Sequence, residues 1–417
     1  MQPDMEETCV RMNHVRSPCE SRSRLLVLIA AAYVGWGVLR ALSDVLVAAV
    51  QQQHPQQDAA AMVIHTSFFA AYLLFPIPIA ILVRRHGAGT ALALAATLMG
   101  AGALLCAWGL HMHQWGWCFV ALFVIAAGIA AVQTSGNPAI MMVGGRETGS
   151  QRLLFVQCLS SVGSIVAPAL SYNARGPNPS EKILGGATLE YIAIGSLLFL
   201  LAGFLVRARW SRSFSMLAAT TDTGHGLSLH PFPAVGVGLV FLFVGTEATI
   251  LSHVVAYWRT TSALPLAGSG LVALSGYWFL VATGRIAGWA ILYRAREAVF
   301  LSASAGAGSV LVLLSFFTRG SLGAAVLIAT GLVNAVIFPL ILSHEISQRG
   351  PQYAFAISGW LTTAICGGAV MPLLSGMLAD RLGVHAAFAL PLASYLWIAW
   401  QAHRWQQTKT SHATLPV

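Results

Sequence analysis

Apolar runs of about twenty residues recur along the whole 417-residue chain, and a helix of that length crosses the roughly 30 Å hydrocarbon core of a bilayer. Twelve such runs are expected as spans, at about 25 to 50, 60 to 83, 90 to 110, 117 to 143, 152 to 172, 188 to 208, 233 to 257, 266 to 292, 298 to 317, 320 to 343, 353 to 378 and 383 to 403. Charged residues make up only 9% of the chain and hydrophobic ones 57%, where a soluble domain carries about 25% charge. The chain therefore reads as an all-α membrane protein with the lipid bilayer as its main partner.

The basic residues test that count. With twelve spans both ends fall on one side, and alternating loops put Arg11, Arg16, Arg22, Arg24, Arg84, Arg85, Arg146, Arg152, Arg207, Arg209, Arg212, Arg294, Arg296, Arg349, Arg404 and Lys409 there, sixteen in all. The opposite side holds five: Arg175, Lys182, Arg259, Arg319 and Arg381. Positive residues concentrate on cytoplasmic loops, so both termini are expected in the cytoplasm. The net charge of +9 is spread thinly over these loops, and no nucleic-acid partner is expected. The first apolar run is too long, and too interrupted by Arg40 and Asp44, for a cleaved signal segment. Cys9, Cys19, Cys106, Cys118, Cys158 and Cys366 show no metal-ligand spacing, so neither a metal site nor a disulfide framework is expected.

The stretch Arg209 to His230 contains the polar run ATTDTGHG and divides the runs six and six. The expected organisation is a cytoplasmic tail over residues 1–24, a six-helix bundle over 25–208, a linker over 209–232, a second six-helix bundle over 233–404 and a tail over 405–417. Prolines repeat across the division, Pro138 and Pro168 in spans four and five, Pro339 and Pro372 in spans ten and eleven. Paired helix breaks in corresponding halves point to a central transport site.

Charges inside the spans are the candidates for chemistry. A carboxylate in hydrocarbon costs about 2.5 to 3.5 kcal/mol on insertion scales, so Asp44 in span one is read as a proton carrier or a hydroxyl acceptor. Arg40 lies four residues earlier, on the same helix face. The alternatives are an intrahelical ion pair that lets both charges enter the bilayer, or an Arg40 that holds an anionic sugar. Gln133 and Asn137 are also four apart, just before Pro138; a Gln both donates and accepts, which suits hydroxyl groups, and bonding between helices is its rival role. Gln157, Ser160, Ser161 and Ser164 form a polar stripe on span five, either a packing seam or, at Gln157, a ligand contact. Glu247 lies well inside span seven, with an ion pair to Arg285 as its structural alternative. His253 is expected to bond locally. Trp278 shares a face with Ser275 and Arg285, and it stacks on a sugar ring or packs as core; Asn334 and the pair Ser358 and Thr362 complete the polar set.

Three stretches taken together resemble the fucose permease and glucose/galactose transporter family of the major facilitator superfamily. They are GVLRALSDVLV at 37–47, GIAAVQTSGNPAIMMVGG at 128–145, and the pair FVGTEATILSHVVAYW at 243–258 and NAVIFPLILSHEI at 334–346 followed by SGWLTTAICGGAVMPLLSGMLADRLG. The resemblance covers nearly the whole chain in order. It departs at Ser43, where the family has Asn, at Arg40, where the family has a small or polar residue, and at Gln133, where the fucose-like branch has Glu. The loop motif between spans two and three has decayed to AILVRRHG, while GMLADRLG survives at Gly376 to Gly383.

The resemblance implies the major facilitator fold, twelve transmembrane helices in two six-helix bundles, working as an importer of a monosaccharide or derivative by proton symport. It implies proton coupling through Asp44 and a role for Glu247 in the second half; taken with the polar residues read above, proton coupling is expected at Asp44 and Glu247, and substrate contact at Arg40, Asp44, Gln133, Asn137, Gln157, Glu247, Trp278 and Asn334. Arg285, Pro138 and Pro339 are expected as gate or structural residues. A monomeric transporter in a bacterial inner membrane is expected, with no cofactor. The alternatives are a proton-independent or anionic-sugar transporter, and a drug or metabolite exporter. Span five reads GSIVAPALS and lacks the Gly-Pro-x-x-Gly-Gly ending of the superfamily's antiporters. No nucleotide-binding loop of the GxxxxGK[ST] type occurs, and no nucleophile elbow or metal cluster supports an enzyme.

Overall fold

The computed structural model describes residues 18–53, 67–143, 148–172, 179–208, 231–261, 266–318 and 320–413. The expected linker at 209–232 lies almost wholly outside the described residues, as do most of the first tail and the last residues of the second. Each expected apolar run coincides with helix. In chain order these are α1 (Pro18–Gln53), the pair α2 (Ser67–Leu74) and α3 (Pro76–His86), α4 (Ala88–His111), α5 (Trp115–Met142), α6 (Gly149–Tyr172) and α7 (Pro179–Ala208). After the linker come α8 (Ala234–Thr261), α9 (Leu266–Ile291), α10 (Glu297–Phe317), α11 (Gly320–Arg349), the pair α12 (Ala354–Thr363) and α13 (Gly367–Leu382), and α14 (Ala389–Ala413). Among the described residues 8 stretches are long and apolar enough to cross a membrane, or 9 when the bent pair α2 and α3 is one span. The helices α6, α9 and α14, of 24, 26 and 25 residues, stand where the remaining runs were expected.

Packing repeats with a period of six spans. In the first half α1 packs on α6, and α4 on both α5 and α7; in the second, α8 packs on α13, and α10 on both α11 and α14. Lipid tails are as apolar as leucine, so close approach of backbones rather than water exclusion drives such contacts. The seams are accordingly lined by glycine. A Cβ on Gly37 of α1 would lie 1.8 Å from the Ser160 carbonyl oxygen of α6, and one on Gly367 of α13 would lie 2.2 Å from the Phe241 carbonyl of α8. The serine stripe of span five proves largely a seam: Ser164 Oγ donates to the Gly37 carbonyl at 3.0 Å.

The helix breaks do not fall where the prolines suggested. The helices α5 and α11 run on through Pro138 and Pro339, because a buried helix that loses one N–H can rely on its neighbours for the freed carbonyl. The bend is at Phe75, where α2 and α3 meet at 42°, and a 3₁₀ turn at Ala364–Cys366 interrupts span eleven. At the end of α5, Arg152 of α6 donates to the carbonyls of Ile140 at 3.2 Å and Met141 at 2.7 Å. A cation on the last carbonyls of a helix satisfies them and meets its negative end, which fixes α5 against α6 and with it the register of the polar residues both carry.

Candidate functional site

The polar side chains of the two sets of helices converge where the sets face each other. On α1, Arg40 and Asp44 are paired with Nε to Oδ2 at 3.7 Å, each less than one-fifth exposed. That is a loose pair, and among the described residues Asp44 Oδ2 has no hydrogen-bond donor. The Arg40 guanidinium instead lies over two rings, Phe68 of α2 at 5.3 Å and Trp278 of α9 at 5.8 Å. An aromatic face attracts a cation, so Arg40 is shared between its own helix and the opposite half.

Beside it, α5 and α6 present a small amide cluster. Gln133 Nε2 donates to the Tyr72 hydroxyl at 3.0 Å. Asn137 Oδ1 accepts from the Tyr33 hydroxyl and, at 3.4 Å, from Gln157 Nε2. Its own Nδ2 meets no acceptor among the described residues, although Asn137 is fully buried.

From the other half comes a chain of hydrogen bonds across α8, α9, α11 and α14. Tyr395 donates to Asn334 Oδ1 at 2.5 Å, Asn334 Nδ2 to the Tyr277 hydroxyl at 2.8 Å, and Tyr277 to Glu247 Oε1 at 2.8 Å. Glu247 lies within electrostatic reach of Arg40, Arg285 and Asp44. Trp278 is 7% exposed, and its indole N–H meets no acceptor among the described residues. His253 bonds locally, its Nδ1 lying 2.9 Å from the Thr249 carbonyl.

One expected alternative is corrected. Arg285 does not close an ion pair on Glu247; its Nη1 contacts the Gln157 carbonyl at 2.6 Å, Ser160 Oγ at 3.1 Å and Ser161 Oγ at 2.5 Å, all on α6. A backbone carbonyl and two hydroxyls converge there, whereas Glu247 already has Tyr277. Ser358 makes another polar tie between the halves, donating to the Gln133 carbonyl at 3.2 Å.

Further contacts between the halves lie toward the loops that carry Arg84, Arg85, Arg294, Arg296 and Arg349. There Gly359 meets Ala80, Gly288 meets Leu154, and the Phe155 and Trp289 rings lie 6.3 Å apart. Farther from those loops, Phe69 reaches Gly368.

The structure thus brings together Arg40, Asp44, Trp278, Glu247 and Arg285 at the interface, with Gln133, Asn137 and Gln157 linked on one side and Asn334 on the other. Pro138 and Pro339 take no part beyond their places in α5 and α11. The tyrosines 33, 72, 277 and 395 were not anticipated, although a phenol on an otherwise apolar helix needs a partner when buried. That was the available signal.

No protein-family model matches the chain. It is 25% identical over 380 residues to a glucose/galactose transporter of Brucella abortus, covering 90% of this chain and 92% of that protein. It is 24% identical over 393 residues to the L-fucose-proton symporter of Escherichia coli, covering 87% and 89%. Among solved structures, the E. coli fucose:proton symporter superposes with a TM-score of 0.73 at 22% identity, over 92% of this chain and 98% of that one. A second structure of the same protein, described as a major facilitator superfamily transporter in the outward conformation, gives 0.74 at 22% identity, over 92% and 99%. The chain is therefore built on the major facilitator fold, and it is similar over nearly its whole length to glucose/galactose transporters and fucose–proton symporters.

Proposed function

We propose that the protein imports a monosaccharide or a close derivative by proton symport. The observation that carries this is the meeting of Arg40, Asp44, Trp278 and Glu247 between the two halves, together with relatives named for sugar transport. Charges that a bilayer disfavours are kept in membrane proteins on substrate and ion pathways. The two bundles, residues 25–208 and 233–404, are the units that rock about this site, and the monomer transports. Asp44 is the leading proton carrier and Glu247 the second. Arg40, Gln133, Asn137, Gln157, Trp278 and Asn334 supply the donors and acceptors that hold the sugar, and Arg285 acts as a gate.

Counterflow tests this reading. Proteoliposomes preloaded with unlabelled sugar accumulate labelled sugar transiently when that sugar is a substrate, and no counterflow with any member of a broad sugar panel would overturn the assignment. Within an active system, Gln133→Ala and Gln157→Ala each weaken sugar binding by about 1 to 3 kcal/mol, the cost of leaving a hydrogen-bonding group unmatched. Titration calorimetry measures it, and unchanged affinity in both folded variants would move the site elsewhere.

The membrane is the bacterial inner membrane, and both termini are cytoplasmic, as the sixteen-to-five distribution of basic residues supports. Reporter fusions after Arg212 and at the C-terminus then report cytoplasm, and a fusion near Lys182 reports the outside. Opposite sides for the first two would contradict this topology.

A further inference from the structure

The charges at the interface balance in pairs. Arg40 and Arg285 carry two positive charges, Asp44 and Glu247 two negative ones, and electrostatic reach links Arg40 to Asp44 and Glu247, and Arg285 to Glu247. Among the described residues the other titratable side chains facing this set are the phenols Tyr33, Tyr72, Tyr277 and Tyr395 and the thiol Cys158, all neutral groups. His253 is turned away, its ring against Phe388. Glu190, a further carboxylate within α7, is not among the groups linked to these four. With both carboxylates ionised, the empty site is neutral.

Loading changes this balance. A proton brought in with an uncharged sugar leaves one uncompensated positive charge in a low-dielectric site, a costly arrangement. A proton brought in with a singly charged anion leaves none. The unmatched hydrogen-bonding groups point the same way. Among the described residues the buried indole N–H of Trp278, beside Arg40, meets no acceptor, nor do Arg285 Nε and Asn137 Nδ2. Arg40 is held by ring faces and a loose pair, which leaves its planar fork of N–H groups open to an incoming carboxylate.

Resting on the sugar-symport reading above, we propose that the transported sugar is a monoanion, a uronic or aldonic acid, carried with one proton so that the site is neutral both empty and loaded. Arg40 receives the carboxylate, and the Trp278 N–H and the amides receive its hydroxyl oxygens. One of the two carboxylates, Asp44 or Glu247, takes the proton.

The test reconstitutes the full chain in proteoliposomes and compares galacturonate, glucuronate and gluconate with galactose, glucose and fucose. The pH gradient and the membrane potential are set independently, the latter with potassium and valinomycin. An acid is expected to accumulate when the pH gradient is imposed, with uptake changing less than twofold as the potential is varied. Arg40→Gln lowers uptake of that acid at least tenfold, and Arg40→Lys, which keeps the charge and loses the fork, raises its KM while leaving uptake measurable. Should Arg40→Gln fail to fold, as judged by size-exclusion chromatography, the Lys variant carries the test. Transport of neutral sugars without the acids overturns the proposal and leaves sugar transport standing. An acid whose accumulation follows the potential overturns the charge balance, and an unchanged KM in Arg40→Lys overturns the role of Arg40. No transport from either group overturns both the proposal and the reading beneath it.

Discussion

Asp44→Asn is expected to abolish accumulation against a gradient while leaving counterflow intact. Asparagine matches aspartate in shape but cannot take up or release a proton, and counterflow needs no net proton movement. One proton moving down one pH unit supplies about 1.4 kcal/mol, enough for a tenfold accumulation, and the variant falls to a ratio near one. The neighbour that opposes protonation is Arg40, because a close guanidinium favours the charged carboxylate. Its pair with Asp44 is loose at 3.7 Å, and the guanidinium is shared with the Phe68 and Trp278 rings. The geometry therefore leaves the carboxylate able to exchange a proton as the two halves separate. Vesicles with and without an imposed pH gradient decide the matter. Wild-type accumulation that ignores the gradient would remove Asp44 as carrier, and Arg40→Ala would then create pH dependence rather than destroy it.

How far the sequence carried depends on what the bilayer penalises. Twenty-residue apolar runs are forced by the thickness of the hydrocarbon, and helices stand at all the runs anticipated. Arg40, Asp44, Glu247 and Arg285 were visible for the converse reason, since each is costly where it stands. The tyrosines that tie these charges into networks were not, because a phenol is apolar enough to pass within an apolar run. A proline does not by itself mark a break: losing one backbone donor does not interrupt α5 or α11, whereas the bend at Phe75 falls directly before Pro76, and the turn at Ala364–Cys366 contains no proline. The partner of Arg285 illustrates the same limit. Glu247 was the nearest opposite charge in view, yet the acceptors it meets include a backbone carbonyl 128 residues away in sequence, a relation only the folded chain creates.

That relation makes Arg285→Ala the second large effect. Arg285 sits on α9 six residues from its end at Ile291, and its acceptors lie eight to twelve residues into the 24-residue α6, so the contact ties the two halves together between the central charges and the basic loops. Nη1 carries two protons, so it serves two of its three acceptors at a time; hydrogen bonds from a charged donor contribute about 1.5 to 3 kcal/mol each. Water replaces part of this when the halves separate. The expected net shift toward the conformation open to the basic-loop side is tenfold to hundredfold, about 1.4 to 2.7 kcal/mol. The chain supplies its own reporter. Cys158 Sγ lies 3.9 Å from the Ala282 carbonyl of α9, in the seam that Arg285 closes. In a variant keeping Cys158 as its only cysteine, Arg285→Ala accelerates maleimide alkylation of that thiol by the same tenfold or more, and added substrate changes the rate. Equal alkylation rates with and without Arg285, in protein that still performs counterflow, would show that the contact is packing and that the seam opens without regard to it.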